Sequence, residues 1–304
     1  MPRQVAFIVN RQAGGGAHRA WIDSNRDAIE RVAAGGAVSM VENGAQIGSA
    51  VASALASGCN AVVAAGGDGT LNAVASQLVG HAVDFGVLPF GTLNHFAKDV
   101  GVALDPTEAL QSIADGHTTR VDIGEVNGQY FLNNSSIGLY VDLVRDRDRQ
   151  QMRLGRGKWP AFAWAFVGSL RRYPFTTVKL TLNGQARVHR TPFVFVGNNA
   201  YLTEGLQIGQ RAGLTDGALS VYVAERAGRW RLFCLGLRAL SGRLRQAEDF
   251  RVFAAPEVRI DSRHRQLRVA VDGELRRIET PLVYRTHPGA LRVIVPARVA
   301  TQRP

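Results

Sequence analysis

The chain of 304 residues has little cysteine and no long apolar run. Its two cysteines, Cys59 and Cys234, stand in patterns typical of small buried apolar residues, and two are too few for a disulfide framework or a zinc site. No apolar stretch reaches the ~18 residues that cross a bilayer, because the nearest, at 159–170, is short and contains a proline. The amino-terminal apolar run is too short for a signal peptide and predicts a strand, so we expect a cytoplasmic chain.

Acidic residues are scarce in the second half of the chain. Residues 1–120 hold 7 Lys and Arg against 10 Asp and Glu, whereas residues 121–304 hold 29 against 15. The two parts therefore carry net charges of −3 and +14, which sum to the +11 of the whole chain. A basic half indicates a polyanionic partner, either a nucleic acid or an anionic membrane surface. Because the sequence has no finger spacing, RNP-like aromatic motif or KH-type loop, we expect no nucleic acid.

The first 120 residues alternate short apolar runs with alanine-rich helical patterns. Runs that are apolar throughout belong to parallel sheets that helices cover on both faces, so the pattern predicts an α/β domain. In such sheets, ligands bind at the carboxyl ends of the strands. The expected strands are 5–9, 37–41, 61–65 and 84–90, and the expected helices are 17–33, 45–57 and 70–79.

From about residue 121 the pattern changes to alternating strands joined by hairpin turns. In 176–182, Val178, Leu180 and Leu182 share one face, and Asn183-Gly184 predicts a tight turn. Further strands are expected at 218–224, 257–262, 267–274 and 291–296, and an amphipathic helix at 228–246. The second domain is therefore predicted to be mostly antiparallel β. We expect domains at 1–121 and 122–286, with 287–304 returning to the first.

The segment "GGDGT" at 66–70 follows the third strand directly. Two glycines let backbone N–H groups approach a charged ligand, and a helix that starts at the turn favours anions. The segment therefore predicts a phosphate cradle. Asp68 would repel phosphate, so its carboxylate is more suited to Mg²⁺ or to water around it. A glycine-rich turn with an acidic cap is the plain structural alternative.

A series of motifs resembles the diacylglycerol kinase catalytic domain family, which includes bacterial soluble lipid kinases and is related to sphingosine, ceramide and NAD kinases. The series comprises "GGDGTLNAVA" at 66–75, "PFGTLNHFAKDVG" at 89–101, the turn Asn10 to Gly16, "VDIG" at 121–124, "VGNN" at 196–199, "LTDGALSVY" at 214–222 and "VDGE" at 271–274. The resemblance implies a first domain of the NAD kinase and phosphofructokinase type that binds ATP. It implies a β-sandwich as the second domain.

The resemblance also implies which residues contact the nucleotide. They are backbone donors and a few hydroxyls, chemistry that suits ATP phosphates. Asn94 would tie its loop to the following helix or serve only as a helix cap. The implied set is Asn10, Ala13, Gly14, Gly15, Gly16, Gly66, Gly67, Asp68, Gly69, Thr70, Leu71, Gly91, Thr92 and Asn94.

Phosphoryl transfer to an alcohol needs a cation at the phosphates and a carboxylate near the hydroxyl. The family's general base falls on "VDGE", which gives Glu274 with Asp272 as the close second; both are expected on one face of a strand. A plain "DG" hairpin is the alternative. Asp68 completes the catalytic set.

The family also has a structural Mg²⁺ that is held by an aspartate and two main-chain carbonyls. In this sequence these ligands are Asp216, Gly213 and Ala218, and hard oxygen donors suit that ion. An ordinary "DG" turn before a strand would also explain the segment. Asp122 either joins the water network near Asp68 or caps the domain junction.

The chain departs from the family pattern at a few positions. His95 stands where many members have an acid, Met40-Val41 replaces a nucleotide-contacting threonine, and Arg211 lies close to the proposed metal loop. Basic residues interleaved with aromatics at 145–172, and arginines every seven residues at 228–246, predict a surface for anionic headgroups or a plain solvated face.

The sequence thus predicts an ATP-dependent, Mg²⁺-dependent lipid kinase. It would phosphorylate diacylglycerol or a related lipid at an anionic membrane surface, as a peripheral protein and a possible homodimer. An NAD kinase shares "GGDGT", but "PFGTLN" favours the lipid kinase. The third alternative is a nucleotide-binding or membrane-binding protein with a degraded active site, suggested by His95 and opposed by Asp68, Asp272 and Glu274.

Overall fold

The computed structural model describes residues 3–13, 17–138, 175–201, 211, 213–224 and 250–300. The expected basic surfaces at 145–172 and 228–246 lie outside these residues. The chain divides into two compact units, one made of Met1–Ile123 with Pro288–Pro304 and the other of Gly124–His287. Among the described residues, no helix has the length and apolar character needed to cross a membrane.

The first unit is built on a parallel sheet. Its strand order is β2-β1-β3-β4, and the last part of β16 (Leu282–Ile294) pairs in parallel with β4. β3 and β4 are buried along their whole length, as expected for strands covered on both faces. The strands are β1 (Val5–Asn10), β2 (Val38–Val41), β3 (Ala61–Gly66), β4 (Asp84–Pro89) and β5 (Thr118–Val126), which continues into the second unit.

Among the described residues of the first unit, six α-helices connect these strands. A single helix was expected over 17–33, and this was wrong, because the helix is interrupted at Asn25. The Asn25 side chain donates to the backbone oxygen of Trp21 (2.8 Å), and its φ of −111° and ψ of 18° leave the helical region. The helices are α1 (Ala17–Ser24), α2 (Arg26–Ala33), α3 (Ile47–Ala56), α4 (Asp68–Leu78), α5 (His95–Asp99) and α6 (Pro106–Asp115); a short α7 (Ala297–Ala300) follows β16.

The second unit is a β-sandwich, so the predicted fold class is confirmed for both parts of the chain. One sheet has the order β12-β11-β10-β7-β14-β15. In the other, the first part of β16 pairs with β13, and the order continues through β8 to β9. The strands are β6 (Gln129–Phe131), β7 (Asn134–Gly138), β8 (Thr176–Leu182), β9 (Gln185–Thr191), β10 (Phe193–Asn198), β11 (Leu219–Ala224), β12 (Phe250–Ala255), β13 (Glu257–Ser262), β14 (Gln266–Val271), β15 (Glu274–Glu279) and β16 (Leu282–Ile294).

The core of the second unit lies between its two sheets. Val194, Val221 and Val269 of the six-stranded sheet and Leu180 and Ile260 of the other belong to one cluster of buried side chains. The apolar positions that alternate along each strand supply this core, which confirms the expectation of half-buried antiparallel sheet.

In the described part of the second unit, tight two-residue turns fix the register of three hairpins. Each turn places an Asn or Asp and then a Gly at positive φ, the geometry that a type I′ turn requires. The turn at Asn183-Gly184 was predicted and is confirmed, with Leu182 paired to Gln185. The others are Asn127-Gly128 and Asp272-Gly273.

Candidate active site

In the first unit, the predicted nucleotide residues meet at the carboxyl ends of the parallel strands. Asn10 ends β1, and its Nδ2 donates to Thr70 Oγ1 (2.8 Å) in the first turn of α4. Gly66 ends β3, and its backbone oxygen accepts from the N–H of Phe90, just beyond β4 (2.9 Å). The chain therefore brings three segments, far apart in sequence, to one edge of the sheet, where the order of the strands reverses at β1.

Glycine is required at this edge because the segments approach too closely for a side chain. A Cβ on Gly66 would lie 2.7 Å from the Thr70 side chain, and a Cβ on Gly91 would lie 2.8 Å from the Cα of Gly67. The same Cβ on Gly91 would also lie 2.5 Å from Asn94 Oδ1. The surface is thus made of bare backbone, which lets N–H groups reach an anion.

The amino end of α4 supplies donors to the same edge. The helix begins at Asp68 after Gly67, and no side chain caps it. The N–H groups of its first residues, Asp68, Gly69 and Thr70, have no acceptor within the helix, because the first helical bond runs from Leu71 N to Gly67 O (3.0 Å). Leu71 was predicted to contact the nucleotide; its N–H is used in that bond and its side chain is buried in the core.

Asp68 is half-buried at this helix end, where its carboxylate lies near the amide of Phe96 (Oδ1 to N, 3.4 Å). His95, at the start of α5, is exposed. Among the described residues, no group of three or more His, Cys, Asp or Glu side chains could hold a metal. One carboxylate still fits Mg²⁺, since this ion is commonly held by one or two carboxylates together with substrate phosphates.

Asn94 ties its own loop together rather than capping the helix that follows. Its φ of 50° is left-handed, and no side-chain cap bond reaches α5. Its Oδ1 accepts from Gly91 N (2.8 Å), and its Nδ2 donates to Gly91 O (2.9 Å). Of the remaining predicted residues, Thr92 is exposed and Ala13 is half-buried, whereas Gly14, Gly15 and Gly16 lie outside the described residues.

His18 belongs to this region although the sequence interpretation omitted it. Its Nε2 lies 3.2 Å from the backbone oxygen of Asn10, and its ring packs against Phe90 with 5.4 Å between centroids. The Nδ1 atom is buried without a hydrogen-bond partner. Burial lowers the pKa of His18. The available signal was a histidine two residues after the glycine run.

Asp272 and Glu274 of the second unit were expected on one face of a strand, and this was wrong. Asp272 and Gly273 form the turn between β14 and β15, and Glu274 is the first residue of β15, paired with Val271. The left-handed φ of Asp272 (45°) and Gly273 (81°) ends the strand at Val271. The "DG" hairpin, considered as an alternative, is the observed geometry.

The Asp272 carboxylate binds the backbone between β6 and β7. It accepts from the N–H of Leu132 (2.7 Å), Asn133 (2.9 Å) and Asn134 (2.9 Å). Desolvation raises the pKa of Asp272 to about 6, although these three donors and the charge of Arg211 act in the opposite direction. Both carboxylate oxygens are therefore engaged in holding a loop.

Glu274 has the opposite environment. Its side chain is about half exposed and pairs with Arg276 (Oε2 to Nη2, 2.7 Å) on the same strand. An exposed ion pair of this kind contributes little stability, so the carboxylate can leave Arg276 at small cost. Of the two acids, Glu274 is the one whose oxygens are free of backbone donors among the described contacts.

Asp216 lies in an exposed turn next to two buried asparagines. Its backbone N–H donates to Asn199 Oδ1 (3.2 Å), and its Oδ2 lies 3.4 Å from the amide of Ala200. The carboxylate folds over Gly213, where a Cβ would collide with it. The Ala218 carbonyl already accepts from Asn199 N (3.2 Å). The carboxylate and both carbonyls are hard oxygen donors, so their chemistry fits the predicted ion.

Asp122, predicted either near the water network or as a cap, is buried within the first unit. Its Oδ1 accepts from Gly289 N (2.8 Å), and Arg120 donates to Gly289 O (3.0 Å). The two side chains thus join β5 to β16. This contact favours the cap alternative.

By its architecture, the protein combines a parallel α/β unit that has glycine-lined strand ends with a β-sandwich. Residues 4–126 match the diacylglycerol kinase catalytic domain, and residues 135–295 match the YegS C-terminal NAD kinase beta sandwich-like domain. The chain therefore belongs to the diacylglycerol kinase-like lipid kinase family.

Individual relatives agree with this membership. A diacylglycerol kinase of Staphylococcus epidermidis is 42% identical over 87 residues, which is 28% of each protein. A diacylglycerol kinase of Mycobacterium tuberculosis is 28% identical over 254 residues, 81% of this chain and 80% of the relative. Two structures from Bacillus anthracis str. Sterne cover 98% of both chains, with TM-scores of 0.76 at 22% identity and 0.69 at 21% identity; the second is described as a diacylglycerol kinase.

Proposed function

We propose that the protein transfers the γ-phosphate of ATP to the hydroxyl of diacylglycerol or a related lipid at an anionic membrane surface. The main support for the proposal is the glycine-lined strand edge, where Gly66, Gly67 and Gly91 leave little room for side chains and α4 begins without a side-chain cap. Such a surface suits a chain of phosphates, because backbone donors and the positive end of a helix stabilise anions.

Residues of the first unit would have two roles, positioning the backbone donors and binding the metal ion. Asn10 and Thr70 fix β1 against α4, and Asn94 fixes the Gly91 turn, so that the donors are held in place before the nucleotide arrives. Asp68 would hold Mg²⁺, which supplies positive charge to the transferring phosphoryl group when bound.

Glu274 would accept the proton of the lipid hydroxyl. A general base needs an oxygen that can approach the substrate, and the half-exposed Glu274 meets this need better than Asp272, whose oxygens accept three N–H bonds. Asp272 then acts by shaping the turn that carries Glu274. We propose Asp216, Gly213 and Ala218 as ligands of a separate structural Mg²⁺.

The experiment is a transfer assay with γ-labelled ATP, Mg²⁺ and the purified chain. Diacylglycerol, other lipid alcohols and NAD are offered separately, the lipids in vesicles with and without anionic lipid. We expect label in the organic phase, more of it with anionic vesicles, and less at high salt because salt screens the attraction.

The matched variants are Asp68→Asn and Asp23→Asn, the second of which changes an exposed carboxylate on α1. We expect Asp68→Asn to lower the transfer rate by about 10³-fold, because Mg²⁺ loses its carboxylate ligand and no longer offsets the negative charge of the phosphates. Asp23→Asn should leave the transfer rate unchanged. Label on NAD alone would refute the lipid kinase, and ATP binding without transfer would favour a non-catalytic protein.

A further inference from the structure

The second unit contains a buried arginine that neither the motif series nor the family match assigns to a role. Arg211 is 8% exposed and pairs with Tyr201 in an isolated antiparallel bridge. Its Nη1 donates to the backbone oxygen of Leu132 (2.7 Å). Arginine is almost never buried unless it is paired, so this position indicates a specific task.

Arg211 binds the first residue of the backbone segment Leu132–Asn134, which is held from both sides. On the N–H side, all three amides donate to Asp272. On the carbonyl side, Leu132 O accepts from Arg211 and from Asn198 Nδ2 (3.0 Å), and Asn133 O accepts from Tyr201 Oη (2.9 Å) and from Asn198 N (2.9 Å).

The segment in turn fixes the hairpin turn of Asp272. Asn134 O accepts from the N–H of Asp272 (2.9 Å), so the residue is bound to the segment through both its side chain and its backbone. Glu274 follows two positions later. A shift of the segment would therefore move the start of β15, on which the proposed base stands.

The charge of Arg211 acts on the same acid. Among the charged groups, its guanidinium lowers the pKa of Asp272, against the rise caused by burial. Without a nearby cation, the free-energy cost of keeping a charged carboxylate buried rises. The carboxylate then becomes exposed or takes up a proton. Removal of Arg211 thus weakens the segment from two directions.

We propose that Arg211 is a positioning residue for phosphoryl transfer: it holds the segment Leu132–Asn134 against Asp272 and so fixes the turn that presents Glu274. This inference rests on the proposed function and on Glu274 as the base. Misplacement of a reacting group by about 1 Å can lower a rate by about 10²-fold, so a loosened turn acts on turnover.

The experiment compares Arg211→Met and Arg211→Lys with Arg259→Met. Lysine retains a positive charge and a donor for Leu132 O, whereas methionine retains only the apolar stem. Arg259 is the matched control, because its ion pair with Asp261 is exposed on β13. For each variant we would measure kcat, the KM for ATP, the melting temperature, and amide hydrogen exchange at Leu132, Asn133 and Asn134.

We expect Arg211→Met to lower kcat about tenfold with an unchanged KM for ATP, since the proposed nucleotide residues belong to the other unit. Arg211→Lys should return kcat to within about threefold of wild type, and the three amides should exchange faster only in Arg211→Met. Arg259→Met should match wild type throughout.

Two results would overturn the inference. One is a kcat of Arg211→Met equal to that of Arg259→Met. The other is a parallel fall of kcat and melting temperature with no rescue by lysine, which a merely structural arginine would give. If the wild type phosphorylates no lipid, the proposed function fails, and the inferred role in transfer fails with it. Amide exchange then reports only whether Arg211 anchors the segment.

Discussion

The candidate sites of the two units are built in opposite ways. In the first unit, glycines at strand ends remove side chains, and the surface is backbone with one half-buried acid, Asp68. In the second unit, buried polar side chains surround the backbone of Leu132–Asn134, and Asp272 uses its carboxylate to hold that segment.

The difference shows which kind of substitution would damage each site. A bare-backbone surface tolerates little added volume, because a methyl group meets neighbouring backbone and side-chain atoms that would have to shift. A buried polar network tolerates volume better than the loss of one partner, because each unsatisfied donor costs free energy. The site of the first unit should therefore be sensitive to Gly→Ala, and the site of the second unit to the loss of a charged side chain.

The largest effect that tests this comparison is expected from Glu274→Gln. The change keeps the shape of the side chain and removes its capacity to accept a proton. We expect kcat to fall by about 10²–10⁴-fold, while ATP affinity and the melting temperature stay the same, since Glu274 is half exposed. Transfer assays and nucleotide titration would measure this. An equal loss of ATP affinity would remove Glu274 from the base role.

A smaller effect is expected from Gly91→Ala. The new Cβ would lie 2.5 Å from Asn94 Oδ1 and 2.8 Å from Gly67 Cα, so the turn must open. We expect a loss of about 2–3 kcal/mol in the free energy of unfolding, together with weaker ATP binding, measured by denaturant titration. Gly48→Ala in α3 is the control, because its nearest neighbour is 3.6 Å away. Equal stability of the two variants would show that the strand edge has room.

The smallest effect concerns the pH dependence of Asp272. Its folded pKa of about 6 lies above the ordinary aspartate value of 3.8, so the folded state binds the proton more tightly. The contribution of Asp272 to stability is therefore greatest at low pH and falls as pH rises from about 4 to about 6.

We expect the gap in unfolding free energy between wild type and Asp272→Asn to be about 2 kcal/mol larger near pH 4.5 than near pH 7.5, as measured by denaturant unfolding. A gap that grows with rising pH would mean that the three N–H donors outweigh desolvation.

Much of the first unit could be predicted because its signals are local. Apolar runs gave the parallel strands, and Gly66-Gly67 lies where β3 ends and α4 begins. The break at Asn25 was missed, because one side chain that bonds to its own backbone does not disturb an apolar pattern.

The second unit was predicted in outline and not in its polar contacts. The "NG" turn at Asn183 was recognised from two residues, and "DG" at Asp272 offered the same signal. There the hairpin turn was kept only as the alternative to a strand that carries both acids on one face. The bonds from Asp272 to Leu132, and from Arg211 to Leu132, join positions 140 and 79 residues apart, and no spacing pattern shows them.

The sequence by itself determined the parallel sheet, the β-sandwich, the glycine positions and the series of motifs, because periodicity and turn chemistry act over a few residues. Only the tertiary structure decided that Asp272 binds a distant backbone segment while Glu274 stays accessible. The two acids lie two residues apart, and their different environments come from what the fold packs against each.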